Sequence, residues 1–165
     1  MDRLPERLEL TVVGDGPERD TLTERAAGTA AADRIEFTGS VPYEEVTRAY
    51  ADADVFVHPG VWPEPFGRTI IEAMQAGLPV VATDIGGPAE TIPQSALLAT
   101  PGDPESLSER IEYAAANRDR VGRENQRFIE AQYHPMSLSH NFTRSTSESC
   151  VTDIERLPSQ PAINP

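Results

Sequence analysis

The sequence predicts an α/β fold, a doubly wound parallel sheet with helices between its strands. Short apolar runs alternate along the chain with longer amphipathic segments, as in strand–helix–strand units. Residues 55–58 are expected to form one strand, and the apolar run of residues 79–83 is consistent with a strand buried on both faces. With 165 residues, 38% of them hydrophobic, the chain can build one core and is too short for two full domains.

The remaining elements follow in order. Strands are expected at 8–13, 35–38 and 96–99, and helices at 17–31, 43–51, 66–77, 104–117 and 118–132, with short helices beginning at Pro88 and Pro135. From Ser137 onward the chain is rich in serine and threonine and poor in apolar residues. We therefore expect residues 136–165 to form a C-terminal helix and a poorly ordered tail.

The charge balance excludes several classes of partner. The net charge is -13, from 27 acidic residues against 14 basic ones, and every basic residue is arginine. This acidity argues against nucleic acid or an anionic membrane as a partner, because both require a basic patch. Abundant carboxylates without lysine suggest either a salt-adapted organism or a biased genomic composition.

The sequence also indicates the cellular location of the protein and the state of its cysteine. The amino terminus is charged and lacks the apolar run of a signal peptide, and no segment has the length of a membrane span, so we expect no transmembrane segment and a cytoplasmic protein. The single cysteine, Cys150, excludes an internal disulfide, and its polar surroundings give no sign of a nucleophile.

The strongest candidate for a site is the stretch of residues 62–77. Its apolar residues recur at helical spacing, while Arg68, Glu72 and Gln75 fall on the opposite face. The first amides of such a helix carry partial positive charge and can hold a diphosphate without a metal. Glu72 lies about 9 Å along the axis from Phe66, so one ligand can place phosphates at the helix end and sugar hydroxyls against Glu72. A nucleotide has that shape.

The alternative interpretation of this helix is an exposed ion pair between Arg68 and Glu72, worth about 0.3–0.5 kcal/mol. The order of the two charges disfavours this interpretation, because Arg68 then faces the positive end of the helix dipole. The residues alone leave both interpretations open.

Three other motifs have to be weighed. Gly14 and Gly16 can cradle phosphate, but the third glycine of a dinucleotide fingerprint is missing, so we favour a structural turn. Asp52 and Asp54 match a metal–diphosphate D-x-D signature, yet they precede a strand, whereas ligands in α/β sheets gather at the carboxyl ends of strands. His58 ends that strand and is better placed, either as a functional group or as a hydrogen-bonding support.

A diglycine follows the strand predicted at residues 79–83. Gly86 and Gly87 permit close approach of the backbone to a ligand, and Pro88 can open a short helix that faces the same crevice. Glu90 falls in the first turn of that helix, where an acid is stabilising for local reasons. We therefore rank the two glycines above Glu90 as ligand contacts.

The segment Glu64-Pro65-Phe66-Gly67, with Glu72 eight residues after Glu64, resembles the E-x7-E motif of the family 4 retaining glycosyltransferases. Segments 12–17, 35–39, 53–59 and 77–90 also follow that family's order and spacing. The similarity covers roughly residues 8–135. It implies a Rossmann-like domain that binds the nucleotide-sugar donor, the carboxyl-terminal half of a two-domain GT-B fold.

The resemblance implies roles for individual residues in binding a nucleotide-sugar donor. Glu64 is expected to contact the donor sugar and is the candidate catalytic residue, and Glu72 is expected to hold the ribose hydroxyls. The other expected donor contacts are Phe66, Gly67, Arg68, Gly86, Gly87 and, near the base, Val41. No metal and no other cofactor is expected.

The resemblance also implies that residues 1–135 are a truncated donor domain. The family's opening strand and helix, which carry an arginine and a lysine that grip the diphosphate, would lie before residue 8, and the amino-terminal half that binds the acceptor would precede them. The expected function is transfer of a hexosyl group from a nucleotide sugar with retention of configuration, by a chain that is inactive alone. The alternatives are a non-catalytic module pairing with a separate amino-terminal half, and a GT-B-like nucleotide-sugar epimerase.

Overall fold

The structure, a computed structural model, describes residues 1–63, 65, 67–132 and the backbone of 149–153. These residues form six strands and six α-helices. The elements are β1 (Glu9–Val13), α1 (Arg19–Ala27), β2 (Ile35–Gly39), α2 (Tyr43–Asp52), β3 (Val55–His58), α3 (Arg68–Gln75), β4 (Val80–Thr83), α4 (Gly87–Thr91), β5 (Leu98–Ala99), α5 (Pro104–Ala116), α6 (Arg118–Gln132) and β6 (Ser149–Asp153). Within the described residues, no helix is both long enough and apolar enough to cross a membrane.

All six strands join one sheet in the order β2-β1-β6-β3-β4-β5, and every pairing between these strands is parallel. Parallel neighbours must be connected by crossovers, and helices fill these crossovers from β1 through β5. The carboxyl ends of all the strands therefore meet at one edge of the sheet. This arrangement confirms the predicted α/β class.

The centre of the core is the pair β3 and β4. All four residues of each strand are buried, as the sequence predicted for β4. Phe56 aligns with Val80, and His58 aligns with Ala82. Helices α3 and α5 cover these strands, and α6 packs against both helices. Their buried apolar residues are Ile70, Ile71, Ala73, Met74, Ile111, Ala114, Val121 and Ile129.

Several predicted boundaries shift by a few residues. Helix α1 ends at Ala27 and not at 31, because Gly28 follows and its amide bonds back to the Arg25 carbonyl at 3.2 Å. Helix α5 begins where predicted, since the carboxylate of Asp103 accepts hydrogen bonds from the amides of Glu105 at 2.9 Å and Ser106 at 3.1 Å. The helix predicted from Pro135 lies outside the described residues.

Residues 149–153 differ from the prediction of a poorly ordered tail. They form β6, which lies between β1 and β3 and pairs with both. The position of Cys150 aligns with Leu10 on one side and Val55 on the other. The prediction rested on the low apolar content of the tail, but a strand between two others gains backbone hydrogen bonds on both edges whatever its side chains are. The rest of that tail lies outside the described residues.

Removing β6 should weaken the whole fold, because β1 and β3 are joined in the sheet only through this strand. We compare a chain ending at residue 148 with one ending at Asp153. The shorter chain should be less stable by on the order of 3 kcal/mol or more, since several backbone hydrogen bonds of about 1 kcal/mol each are lost. Urea unfolding followed by circular dichroism measures this difference. Equal midpoints for the two chains would contradict the observed strand order.

Candidate functional site

Helix α3 begins at the carboxyl edge of the sheet, where Gly67 precedes its first residue. Gly67 has φ 62° and ψ 58°, the left-handed region, and a Cβ atom at this position would lie 2.9 Å from Cδ1 of the fully buried Ile70. Both facts favour glycine. The helix therefore starts at Arg68 and not at residue 66 as the sequence predicted. The amide of Ile70 donates to the Gly67 carbonyl at 3.0 Å. The amides of Arg68 and Thr69 precede it at the helix end, where they can bind an anion.

Glu72 lies one turn into α3 and is largely buried. Its side chain is 12% exposed, whereas that of Arg68 is 67% exposed. The Nε atom of Arg68 donates a hydrogen bond to Oε1 of Glu72 at 2.8 Å. The ion pair weighed in the sequence analysis therefore forms, but it is not an ordinary solvated pair, because its cation is exposed and its carboxylate is largely buried.

The Arg68 guanidinium is held in its charged form by this contact. The hydrogen bond to Glu72, followed by the electrostatic attraction of the same carboxylate, raises the pKa of Arg68 above its ordinary value. Tyr43, at the start of α2, contributes in the same direction. Arg68 is thus a permanent positive charge beside the first turn of α3.

Tyr50 is a residue of this site that the sequence did not reveal. It is the one buried residue of α2, and its ring meets that of Phe56 edge to face, with centroids 5.7 Å apart. Its hydroxyl lies 3.4 Å from Oε2 of Glu72 and donates to it. The two carboxylate oxygens of Glu72 thus have different partners, one from its own helix and one from α2.

Three other predicted contact residues lie at the same edge of the sheet. Gly86 and Gly87 follow β4, and Gly86 has φ 64° and ψ -147°, a conformation that only glycine adopts readily. The short helix α4, which begins at Gly87, contacts α3. Val41 follows β2, which is separated from β3 by two strands, or about 14 Å at the usual spacing. The loops that carry the predicted contacts therefore share one edge.

Glu64 and Phe66, the other two residues that the sequence proposed for the donor, lie outside the described residues, and their roles stay predictions. The part of the loop that precedes them is exposed, with Val61 47% and Trp62 69% accessible. That loop connects β3 to α3.

The D-x-D aspartates lie at the opposite edge, before β3 begins. Asp54 is 3% exposed and forms an ion pair with the guanidinium of Arg118 at the start of α6. The carboxylate of Asp54 thus links α6 to the start of β3. This arrangement favours a structural role for Asp54 over the metal-binding interpretation.

A parallel sheet with a helix start and a largely buried carboxylate at the carboxyl ends of its strands defines an α/β domain of the kind that binds ligands at this edge. The family model described as "Glycosyl transferases group 1" matches residues 1–134. The chain belongs to this family.

Similar proteins agree with the family. The sulfoquinovosyl transferase SQD2 of Arabidopsis thaliana is 36% identical over 124 residues, covering 72% of this chain and 23% of that protein. A GDP-mannose-dependent alpha-mannosyltransferase of Mycolicibacterium smegmatis is 36% identical over 132 residues, covering 78% and 33%. The crystal structure of Anabaena HepE in complex with UDP-glucose superimposes with a TM-score of 0.71 at 27% identity, covering 79% of this chain and 38% of that one. The chain thus spans between 23% and 38% of these proteins.

Replacing Gly67 with alanine tests the geometry at the start of α3. The φ angle alone should cost about 1 kcal/mol of stability, and the contact with the enclosed Ile70 about 1–3 kcal/mol more. Gly102 is the matched control, because its φ is 73° but a Cβ there meets nothing within 4 Å. Chemical unfolding should therefore show a larger loss for Gly67→Ala than for Gly102→Ala. Equal losses would mean that Ile70 does not constrain the helix start.

Proposed function

We propose that this chain is the donor-binding part of a retaining glycosyltransferase, which transfers a hexosyl group from a nucleotide sugar to an acceptor without a metal. The observation that carries the proposal is the position of Glu72. Its carboxylate is 12% exposed, belongs to a helix whose first amides point to the same edge of the sheet, and lies beside one exposed arginine. Its contacts with Arg68 and Tyr50 hold the carboxylate at that place, and a nucleotide needs both an anion-binding helix start and an acceptor for its ribose hydroxyls.

The proposed binding mode follows the order of groups along α3. The diphosphate lies against the first-turn amides at Gly67 and Arg68, with the diglycine Gly86-Gly87 closing the other side. The ribose hydroxyls donate to Glu72, about one helical turn further along the axis. Glu64 contacts the transferred sugar, Phe66 adds a backbone amide, and the base reaches toward the loop of Val41.

Arg68 has two positions in this proposal. In the free protein it covers Glu72, and when a donor binds it turns toward the diphosphate, which leaves the carboxylate for the ribose. The side chain of Arg68 is 67% exposed, so no packing hinders this movement. The guanidinium exchanges one charge-assisted contact, with Glu72, for another with phosphate, and the ribose hydroxyls replace it on the carboxylate.

Relatives of the chain support a nucleotide-sugar donor. HepE was crystallised with UDP and with UDP-glucose, and several relatives are named as GDP-mannose-dependent mannosyltransferases. They differ in both base and sugar. The proposal therefore leaves the donor open between UDP- and GDP-hexoses. Retention of configuration is what the resemblance implies. In such enzymes the donor phosphate assists attack by the acceptor on the face of the sugar from which the diphosphate departs.

We further propose that the acceptor wall comes from an amino-terminal half, present in a longer chain or separately encoded. The chain spans 23% to 38% of the proteins compared above, which leaves room in them for another domain. An acceptor wall positions the acceptor and excludes water from the reacting centre, two large terms in enzymatic rate enhancement. That partial coverage also favours one alternative, a non-catalytic module that pairs with such a half.

The substitution Glu72→Gln tests the donor site. It preserves volume and removes the charged acceptor, so the Kd for UDP or GDP should rise by roughly 5- to 150-fold, equivalent to about 1–3 kcal/mol. Titration calorimetry measures this change. The matched control is Glu124→Gln, because Glu124 forms the same i,i+4 pair with Arg120, at 3.0 Å, on the surface of α6. Wild-type protein that binds neither nucleotide, or equal affinities for both variants, would contradict the proposal.

A further inference from the structure

The loop from β3 to α3 is tied to the neighbouring strand by one side chain. Thr83, the last residue of β4, is 3% exposed, and its hydroxyl donates a hydrogen bond to the carbonyl of Gly60 at the start of the loop. The strands place the two residues side by side, since His58 aligns with Ala82, one residue before Thr83. The hydrogen bond therefore fixes the start of the loop at Gly60, and the left-handed backbone of Gly67 fixes its end.

Thr83 also contacts the second loop of the site. Its carbonyl accepts a hydrogen bond from the amide of Ile85 at 2.8 Å, in the turn that leads to Gly86 and Gly87. One residue thus binds both loops that follow the central strands. The hydroxyl reaches the loop that carries Glu64, and the backbone starts the turn that carries the diglycine.

A hydroxyl at this position calls for an explanation. Val80, Val81 and Ala82 are fully buried, and valine has the same shape as threonine and suits a strand equally well. A buried hydroxyl is unfavourable unless it is hydrogen-bonded. The bond to Gly60 removes that penalty, and it acts on a segment that has little packing of its own, with Val61 47% and Trp62 69% exposed.

We propose that Thr83 is a positioning residue for donor binding, which holds the start of the β3–α3 loop, at Gly60, beside the diglycine turn. This inference rests on the proposed function, because it assigns the two loops to the same ligand. Thr83 itself needs no contact with the donor. It acts by fixing Gly60, from which the chain runs four residues to Glu64.

The chain contains one tryptophan, Trp62, and it lies on this loop. Time-resolved fluorescence anisotropy of Trp62 therefore reports the motion of the loop without any label. We compare Thr83→Val, which removes the hydroxyl at constant shape, with Thr83→Ser, which keeps it. Thr29→Val is the control for losing a hydrogen-bonded hydroxyl elsewhere, because Thr29, just after α1, bonds to the Ala26 carbonyl at 2.8 Å.

We expect Thr83→Val to increase the fast depolarisation of Trp62 and to weaken UDP or GDP binding about threefold to tenfold, the effect of one hydrogen bond. Thr83→Ser should restore both, and Thr29→Val should leave the anisotropy at the wild-type value. Unchanged Trp62 motion in Thr83→Val would contradict the proposed role of the hydroxyl in holding the loop, whether or not wild-type protein binds a nucleotide. Absence of nucleotide binding by wild-type protein would instead contradict the proposed function. Faster motion with unchanged affinity would overturn the positioning role.

Discussion

The pairing of β3 with β4 is the interaction on which the candidate site depends. All eight residues of these two strands are buried, and α3 is the crossover between them. Because the pair is parallel, the chain must leave β3 at the carboxyl edge and start α3 from that edge. This one constraint places three features at the same edge of the sheet: the start of α3, the loop before it and the diglycine after β4.

The environment of Glu72 follows from the same packing. The buried face of α3 fixes the rotation of the helix, so that Glu72 lies at the boundary between core and solvent. Tyr50 reaches the carboxylate because its ring is set edge to face against Phe56 of β3. An acid held in this way keeps one side toward solvent, which is what recognition of sugar hydroxyls requires. Arg68 occupies that side in the free protein.

The sequence predicted what depends on local pattern. Strand β3 and helix α6 have the predicted bounds, because a run of buried valines and an uninterrupted helical period are visible in single segments. The prediction missed contacts between residues that are distant in sequence. Tyr50 and Glu72 are 22 residues apart, and Thr83 and Gly60 are 23 apart, so no spacing rule connects them. The start of α3 was misplaced because the left-handed turn at Gly67 depends on the packing of Ile70.

The strand β6 shows a different limit of sequence analysis. Its apolar content gave no reason to expect a place between β1 and β3, where the pairing partners are supplied by distant segments. Composition describes what side chains can bury, whereas a central strand is also held by its backbone. The fold of this chain therefore depends on a segment that composition alone assigns to a tail.

The central claim is that a nucleotide sugar binds at the start of α3. Titration of the isotope-labelled chain with UDP-glucose and with GDP-mannose, followed by amide chemical shifts, tests it most directly. The account predicts that at least one donor shifts the amides of Gly67, Arg68, Glu72, Gly86 and Gly87, while those near Asp54 and Arg118 at the opposite edge stay fixed. Shifts confined to that opposite edge, or no shifts at millimolar concentrations of either donor, would contradict it.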